Sequence, residues 1–283
     1  MPCDRRALRS RLQRARGFVR WQDSGRDLCG AASATPGDVL QMAVESIGGC
    51  CDEGKDKEED AAVLEEEREA WRTAAAAFFE LPGGGEGLSI LGKAVMESWE
   101  APYMSALAAA ACANGGRVLE VGFGLGLSAA SVDAHDSVQE HIIIEANEIV
   151  LGRAALWADE ARRPTTVFGG FWQELVEEFE AGSFAGVLFD AYPLNSAEAR
   201  GDGEVGAFFE VAARLLQPGG VFSFYYDDGR NWLECVQAFR QDTLPKLLRA
   251  GFSKVEDDQV MCPPREGCTY FWKDRFLVPR AIK

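Results

Sequence analysis

A short apolar strand that runs directly into three closely spaced glycines constrains this chain more than any other feature. In Val118-Leu-Glu-Val-Gly-Phe-Gly-Leu-Gly126 the apolar residues predict a buried strand, and the glycines predict a turn whose backbone can approach a ligand closely. A second apolar run follows in His141-Ile-Ile-Ile-Glu145 and ends in a carboxylate. A glycine turn after one strand and an acid at the tip of the next are the parts that hold a nucleoside, the acid gripping ribose hydroxyls.

The spacing narrows the choice of cofactor. A dinucleotide fingerprint needs Gly-x-Gly-x-x-Gly, and Leu127 stands where its third glycine would be. The pattern Glu120-x-Gly122-x-Gly124-x-Gly126 instead resembles the loop of S-adenosylmethionine (AdoMet) methyltransferases. Read alone, the glycines also fit an ordinary tight turn between a strand and a helix.

From about residue 90 onward, helical and strand patterns alternate. A helix is expected over Ala101–Cys112, and strands over Arg117–Val121, His141–Glu145, Thr165–Phe168, Ala185–Asp190 and Val221–Tyr226. Phe208–Leu216 reads as a helix stopped by Pro218-Gly-Gly, and two later β-type runs cover Lys254–Met261 and Thr269–Val278. Such alternation predicts an α/β fold: a doubly wound, mostly parallel seven-stranded sheet of the Rossmann-like, class I methyltransferase type, with its ligand at the carboxyl ends of the strands. An N-terminal extension is expected to precede it.

That extension, residues 1–70, reads separately from the domain at 71–283. Seven arginines fall in its first twenty residues, a composition shared by organellar transit peptides and by basic arms. Asp52 to Glu69 holds ten acidic and three basic residues, as a solvated helix or a disordered segment would. A helix is expected over Glu69–Phe79, ended by Leu81-Pro-Gly-Gly-Gly.

The bulk properties exclude several classes. A net charge of −16 disfavours nucleic acid and anionic membranes as partners and favours a cationic one. No apolar run reaches the ~20 residues of a membrane span. Eight scattered cysteines without a Cys-x-x-Cys pair point to a reducing, cytoplasmic setting, with Cys112 in the core. His135 and His141 are the only histidines, so a metal site is not expected; either could lie at the surface.

The chain resembles the guanidinoacetate N-methyltransferase family and its relatives, the fungal arginine N-methyltransferases, from about Trp71 to the C-terminus. The resemblance is carried by Leu91-Gly-Lys-Ala-Val-Met-Glu-Ser-Trp-Glu-Ala-Pro-Tyr-Met104, by Gly115–Gly124, by His141–Glu145, by Phe189-Asp-Ala-Tyr-Pro193 and by Arg214–Gly220. It implies AdoMet contacts from Met96, Met104, Glu120, Gly122, Phe123, Gly124, Leu125, Glu145, Ala146, Asn147 and Asp190. Phe171 and Trp172 would flank the adenine, and Trp71 would sit on an N-terminal lid. The substrate carboxylates would be Glu100 and Asp190, with Asp190 as proton acceptor and Glu100 as orienting partner. Met96, Met104 and Trp172 fit a core role as well, and Trp71 a surface one.

One departure from the family matters. Where the resemblance implies a turn whose backbone N–H groups take the substrate carboxylate, this chain has Tyr226-Asp-Asp-Gly-Arg230. Asp227 and Asp228 thus join the substrate-binding candidates, repelling a carboxylate if they face inward unless Arg230 compensates. The expected activity is N-methylation of a small guanidine by a monomer or homodimer, with guanidinoacetate the leading acceptor. Arginine, agmatine or another amine is the alternative, and a noncatalytic AdoMet-binding scaffold comes last.

Overall fold

A computed structural model describes residues 53–195, 198 and 203–283. The arginine-rich start lies outside the described residues.

The main sheet has seven strands. These are β4 (Gly116–Val121), β5 (Val138–Glu145), β6 (Thr165–Gly169), β7 (Phe184–Phe189), β8 (Leu216–Phe224), β9 (Lys254–Met261) and β10 (Arg275–Ile282). Their spatial order is β6-β5-β4-β7-β8-β10-β9. Strands β4 to β8 pair in parallel, while β10 runs antiparallel to both β8 and β9. Order reverses beside β4, between β5 and β7, and such a reversal opens a crevice at the strand tips.

Helices cover both faces, which is why the strands are nearly continuous in apolar residues. Val118, Ile143, Leu188 and Phe276 face one core, with Tyr103, Met104 and Leu107 of α2 (Ala101–Ala111). Their neighbours Leu119, Ile142, Val187 and Leu277 face the other, with Phe208 and Phe209 of α6 (Gly203–Leu215). The alternation is the period of two that a pleated strand imposes. The remaining helices are α3 (Leu127–Ala134), α4 (Glu148–Glu160), α5 (Trp172–Leu175), α7 (Trp232–Ala238) and α8 (Leu244–Arg249).

Ahead of the sheet lie α1 (Glu53–Thr73) and a three-stranded antiparallel sheet of β1 (Ala76–Glu80), β2 (Glu86–Ile90) and β3 (Lys93–Glu97). This corrects the helix expected through Phe79. The Asn147 side-chain amide donates to the carbonyls of Trp71 and Ala74, each at 2.9 Å, and so caps the end of α1. The alanines that follow pair with Glu86–Ile90 instead, because Gly83, Gly84 and Gly85, all at positive φ, close a hairpin turn. Strand pairing overrides the helical preference of alanine.

Further details differ from the expectations. β8 begins at Leu216, so Pro218-Gly-Gly lies inside an irregular stretch of strand and α6 has already ended. The last strand starts at Arg275 rather than Thr269, which leaves residues 262–274 as a loop. His141 is not at the surface: it is fully buried, with Nε2 2.8 Å from Glu120 Oε2. Among the described residues, no helix is long and apolar enough to cross a membrane.

Candidate active site

The tips of β4, β5 and β7 open onto a cavity of about 280 Å³. Its floor is the glycine turn. Gly122 and Gly124 both have positive φ, and both are held close by neighbours. A Cβ on Gly122 would lie 2.3 Å from the Asp190 carbonyl oxygen, and one on Gly124 would lie 3.0 Å from Met96 Sδ. A side chain at Gly122 would collide with backbone and one at Gly124 would crowd Met96 in a strained left-handed conformation, so bare backbone faces the cavity. Met96, on β3, also accepts the Leu125 N–H at 3.5 Å and ties the small sheet to the turn.

Glu145 closes β5 at the cavity wall. Its carboxylate accepts from Phe123 N–H at 2.9 Å and Asn147 N–H at 2.8 Å, so the turn and the acid are one hydrogen-bonded unit. Burial raises this carboxyl above its usual range, and the backbone donors around it pull the other way.

Aromatic rings make the walls. Trp71, Phe171, Trp172 and Tyr192 all line the cavity. Arg68 and Arg72 of α1 lie over the Phe171 ring, 5.6 and 5.3 Å from its centroid, and Arg72 pairs with Glu174 at 2.6 Å. Bare glycine backbone, a buried acid and aromatic walls fit an adenosine-bearing cofactor.

At the other end stand Glu100 and Asp190, which the fold brings to one cavity from an α2 N-terminus and a β7 C-terminus. Glu100 accepts from the Glu97 N–H at 2.8 Å and from the Tyr270 hydroxyl at 2.7 Å, both on Oε1. Burial pushes its carboxyl up to about 7. Asp190 is raised well above the ordinary aspartate range, first by burial and then by the charges of Glu100 and Glu120. Among the described residues, no lysine or arginine lines this cavity.

Several candidates fall elsewhere. Glu120 is fully buried behind the turn, where Ser128 donates to it and His141 pairs with it. Met104 and Phe123 are core residues outside the lining, and Leu125 contributes its N–H to Met96. Asn147 also stands outside the lining. Its Oδ1 caps α4 through Ile149 and Val150 N–H while its amide caps α1. Ala146 does line the cavity.

Asp227 and Asp228 face neither the cavity nor open solvent. Asp227 pairs with Lys273 and accepts from Gly229 N–H. Asp228 accepts from Arg230 N–H and stands 3.3 Å from the Arg230 guanidinium. Four polar lining residues were not among the sequence candidates: Tyr192, Tyr225, Tyr270 and Glu204. Glu204 accepts from the Trp172 indole N–H at 2.8 Å, and burial holds it at about 7. Tyr192 lay within the motif Phe189–Pro193, whereas Tyr270 and Glu204 carried no local signal.

The sheet is Rossmann-like, with its cavity at the β4 switch point where such folds bind their ligands. The chain belongs to the guanidinoacetate N-methyltransferase family, whose model matches residues 61–283. Among curated relatives, Protein arginine N-methyltransferase 2 of Aspergillus oryzae is 30% identical over 171 residues, 60% of this chain and 40% of that protein. Its counterpart in Emericella nidulans is 29% identical over 175 residues, 61% of this chain and 40% of that protein. The chain therefore spans about two fifths of the length of these relatives. Spermidine synthase from Thermotoga maritima shares the fold, with a TM-score of 0.57 at 19% identity over 74% of this chain and 69% of that one.

Proposed function

We propose that the protein is an AdoMet-dependent N-methyltransferase acting on a small guanidine, with Glu100 and Asp190 as the substrate carboxylates. The observation that carries this reading is their pairing: two walled-in acids share one cavity with no cation from the described residues to neutralise them. A planar guanidinium supplies that charge, and its fork matches carboxylate oxygens.

AdoMet, when bound, supplies a methyl group on a sulfonium sulfur. Gly122, Gly124, Glu145, Phe171 and Trp172 would hold its nucleoside, and Trp71 on α1 would close over it as a lid.

The chemical difficulty lies with the acceptor. A guanidinium has a pKa near ~13, so its neutral form is about one part in a million at pH 7. Neighbouring carboxylates do not enlarge that fraction, since opposite charge favours the cation. They hold the fork and aim one nitrogen at the methyl group. As that nitrogen forms its bond to carbon it becomes far more acidic, and Asp190 takes the proton it sheds. Glu100, fixed through Oε1 by Glu97 and Tyr270, keeps Oε2 for orienting the fork.

Guanidinoacetate, giving creatine, is the reference acceptor because the family bears its name. Free thiols at Cys112, Cys235, Cys262 and Cys268 accord with a reducing, cytoplasmic setting. The test is methyl transfer from AdoMet to a panel of guanidines with mass detection of product. Product from wild type and none from Asp190→Asn supports the reading. AdoMet binding without transfer to any guanidine removes it.

A further inference from the structure

Four of the five backbone N–H groups in the turn after β8, residues 226–230, are engaged. Tyr226 N–H donates to the Tyr103 hydroxyl at 3.0 Å, Gly229 N–H to Asp227 and Arg230 N–H to Asp228. Asp228 N–H is directed at the buried Cys235 sulfur. None of the residues Tyr226–Arg230 lines the cavity.

Arg68 of α1 stands near Glu204, while the other cations around the site are engaged. Lys273 is buried and bonded to Asp227 and to the Arg230 carbonyl, and Arg230 pairs with Asp228. Arg265 holds both oxygens of Glu97 at 2.7 Å. Lys93 donates to the Leu194 carbonyl at 2.8 Å. The cavity itself carries four carboxylates, Glu100, Glu145, Asp190 and Glu204, against no lysine or arginine of the described residues.

A buried carboxylate guest needs donors or a cation, and like charges at short range repel it. Here four of the turn's five N–H groups are engaged, and the cavity wall sets four acidic side chains and tyrosine hydroxyls, with no lysine or arginine of the described residues, around the guest. We infer that the methyl acceptor is a guanidine whose side group bears no carboxylate, a neutral or cationic alkylguanidine, rather than guanidinoacetate. This rests on the guanidino reading above and specifies its substrate class. Charge complementarity of this kind discriminates against the wrong guest as well as favouring the right one.

The test uses three guanidines that differ chiefly in the charge of the side group: guanidinoacetate, its neutral isostere guanidinoacetamide, and the cationic agmatine. Each is titrated calorimetrically into the full-length protein with S-adenosylhomocysteine present, and each is then assayed with AdoMet. The amide and agmatine are expected to bind at least about tenfold more tightly than guanidinoacetate, and to be methylated with higher kcat/KM. Guanidinoacetate matching or exceeding its amide in both readouts overturns the inference and leaves the guanidino reading standing. Transfer to none of the three, with AdoMet bound, overturns both. Transfer only to an arginine-containing peptide overturns the small-molecule acceptor.

Discussion

The indole of Trp71 lies flat against the ring of Tyr192, with centroids 5.1 Å apart and planes within 12°. One ring comes from the last turn of α1, the other from the loop after β7, and both line the cavity. The stack ties the end of α1 to the loop after β7 at the cavity wall. Aromatic pairs of this kind contribute about 0.5–1.5 kcal/mol beyond their burial. Trp71→Ala is therefore expected to weaken AdoMet binding about three- to tenfold by calorimetry, while Trp71→Phe retains most of it. Equal affinity in wild type and the alanine variant would show that the stack does not act as a lid.

In the proposed reaction Asp190 takes the proton. Asp190→Asn is expected to lower kcat by roughly 10²–10⁴-fold, the usual reach of a general base, with AdoMet affinity unchanged. A variant that turns over near the wild-type rate takes Asp190 out of the chemistry.

Burial of Glu100 is expected to cost stability above neutral pH. Its carboxyl sits at about 7 in the fold against 4.5 for the free group, so the folded state holds its proton over a range where the unfolded chain has lost it. Stability therefore falls as pH rises from about 4.5 to about 7, and the full penalty, at most roughly 3 kcal/mol, applies above that. Glutamine keeps the Oε1 acceptor used by Glu97 and Tyr270. Glu100→Gln should raise Tm at pH 8, leave it near parity at pH 5, and depress turnover at both. A Tm gain of the same size at both values would dissociate the effect from ionisation.

Tyr270 tunes the same group from the loop before β10. Its donated hydrogen bond favours the ionised form of Glu100. Tyr270→Phe is expected to move the acid limb of the kcat/KM profile to higher pH, with the alkaline plateau less affected. An unshifted limb would assign that titration to a different residue.

Asn147 joins two helix ends through one side chain. Asn147→Ala loses the cap of α4 and the tether on α1, at a cost of about 1–3 kcal/mol. Limited proteolysis should then cut near residues 71–76 well before the main sheet unfolds. Simultaneous loss of both would mean that α1 and the sheet open together.

How much of this was readable beforehand follows from where each constraint originates. Gly122, Gly124 and Glu145 were legible because a positive φ and a strand-end acid are local demands written into a few adjacent residues. The parallel sheet was legible because burial on both faces leaves long apolar runs. The small sheet β1–β3 was not, since an alanine run favours helix until a distant strand pairs with it. Tyr270 and Glu204 were hidden for the same reason: only the packing of loop and helix against Glu100 and Trp172 gives them a role. Glu120 misled because its position in the motif says nothing about which face of β4 it takes, and that face holds His141.

Glu100 and Glu204, each held at about 7, keep a share of their protons in neutral solution. A cation settling among them lowers both values and drives those protons out, so loading the site releases acid. The heat of binding would then change with the ionisation enthalpy of the buffer that catches the proton, and apparent affinity would climb with pH below neutrality. A weakly buffered solution of this protein would register each filled cavity as a small drop in pH.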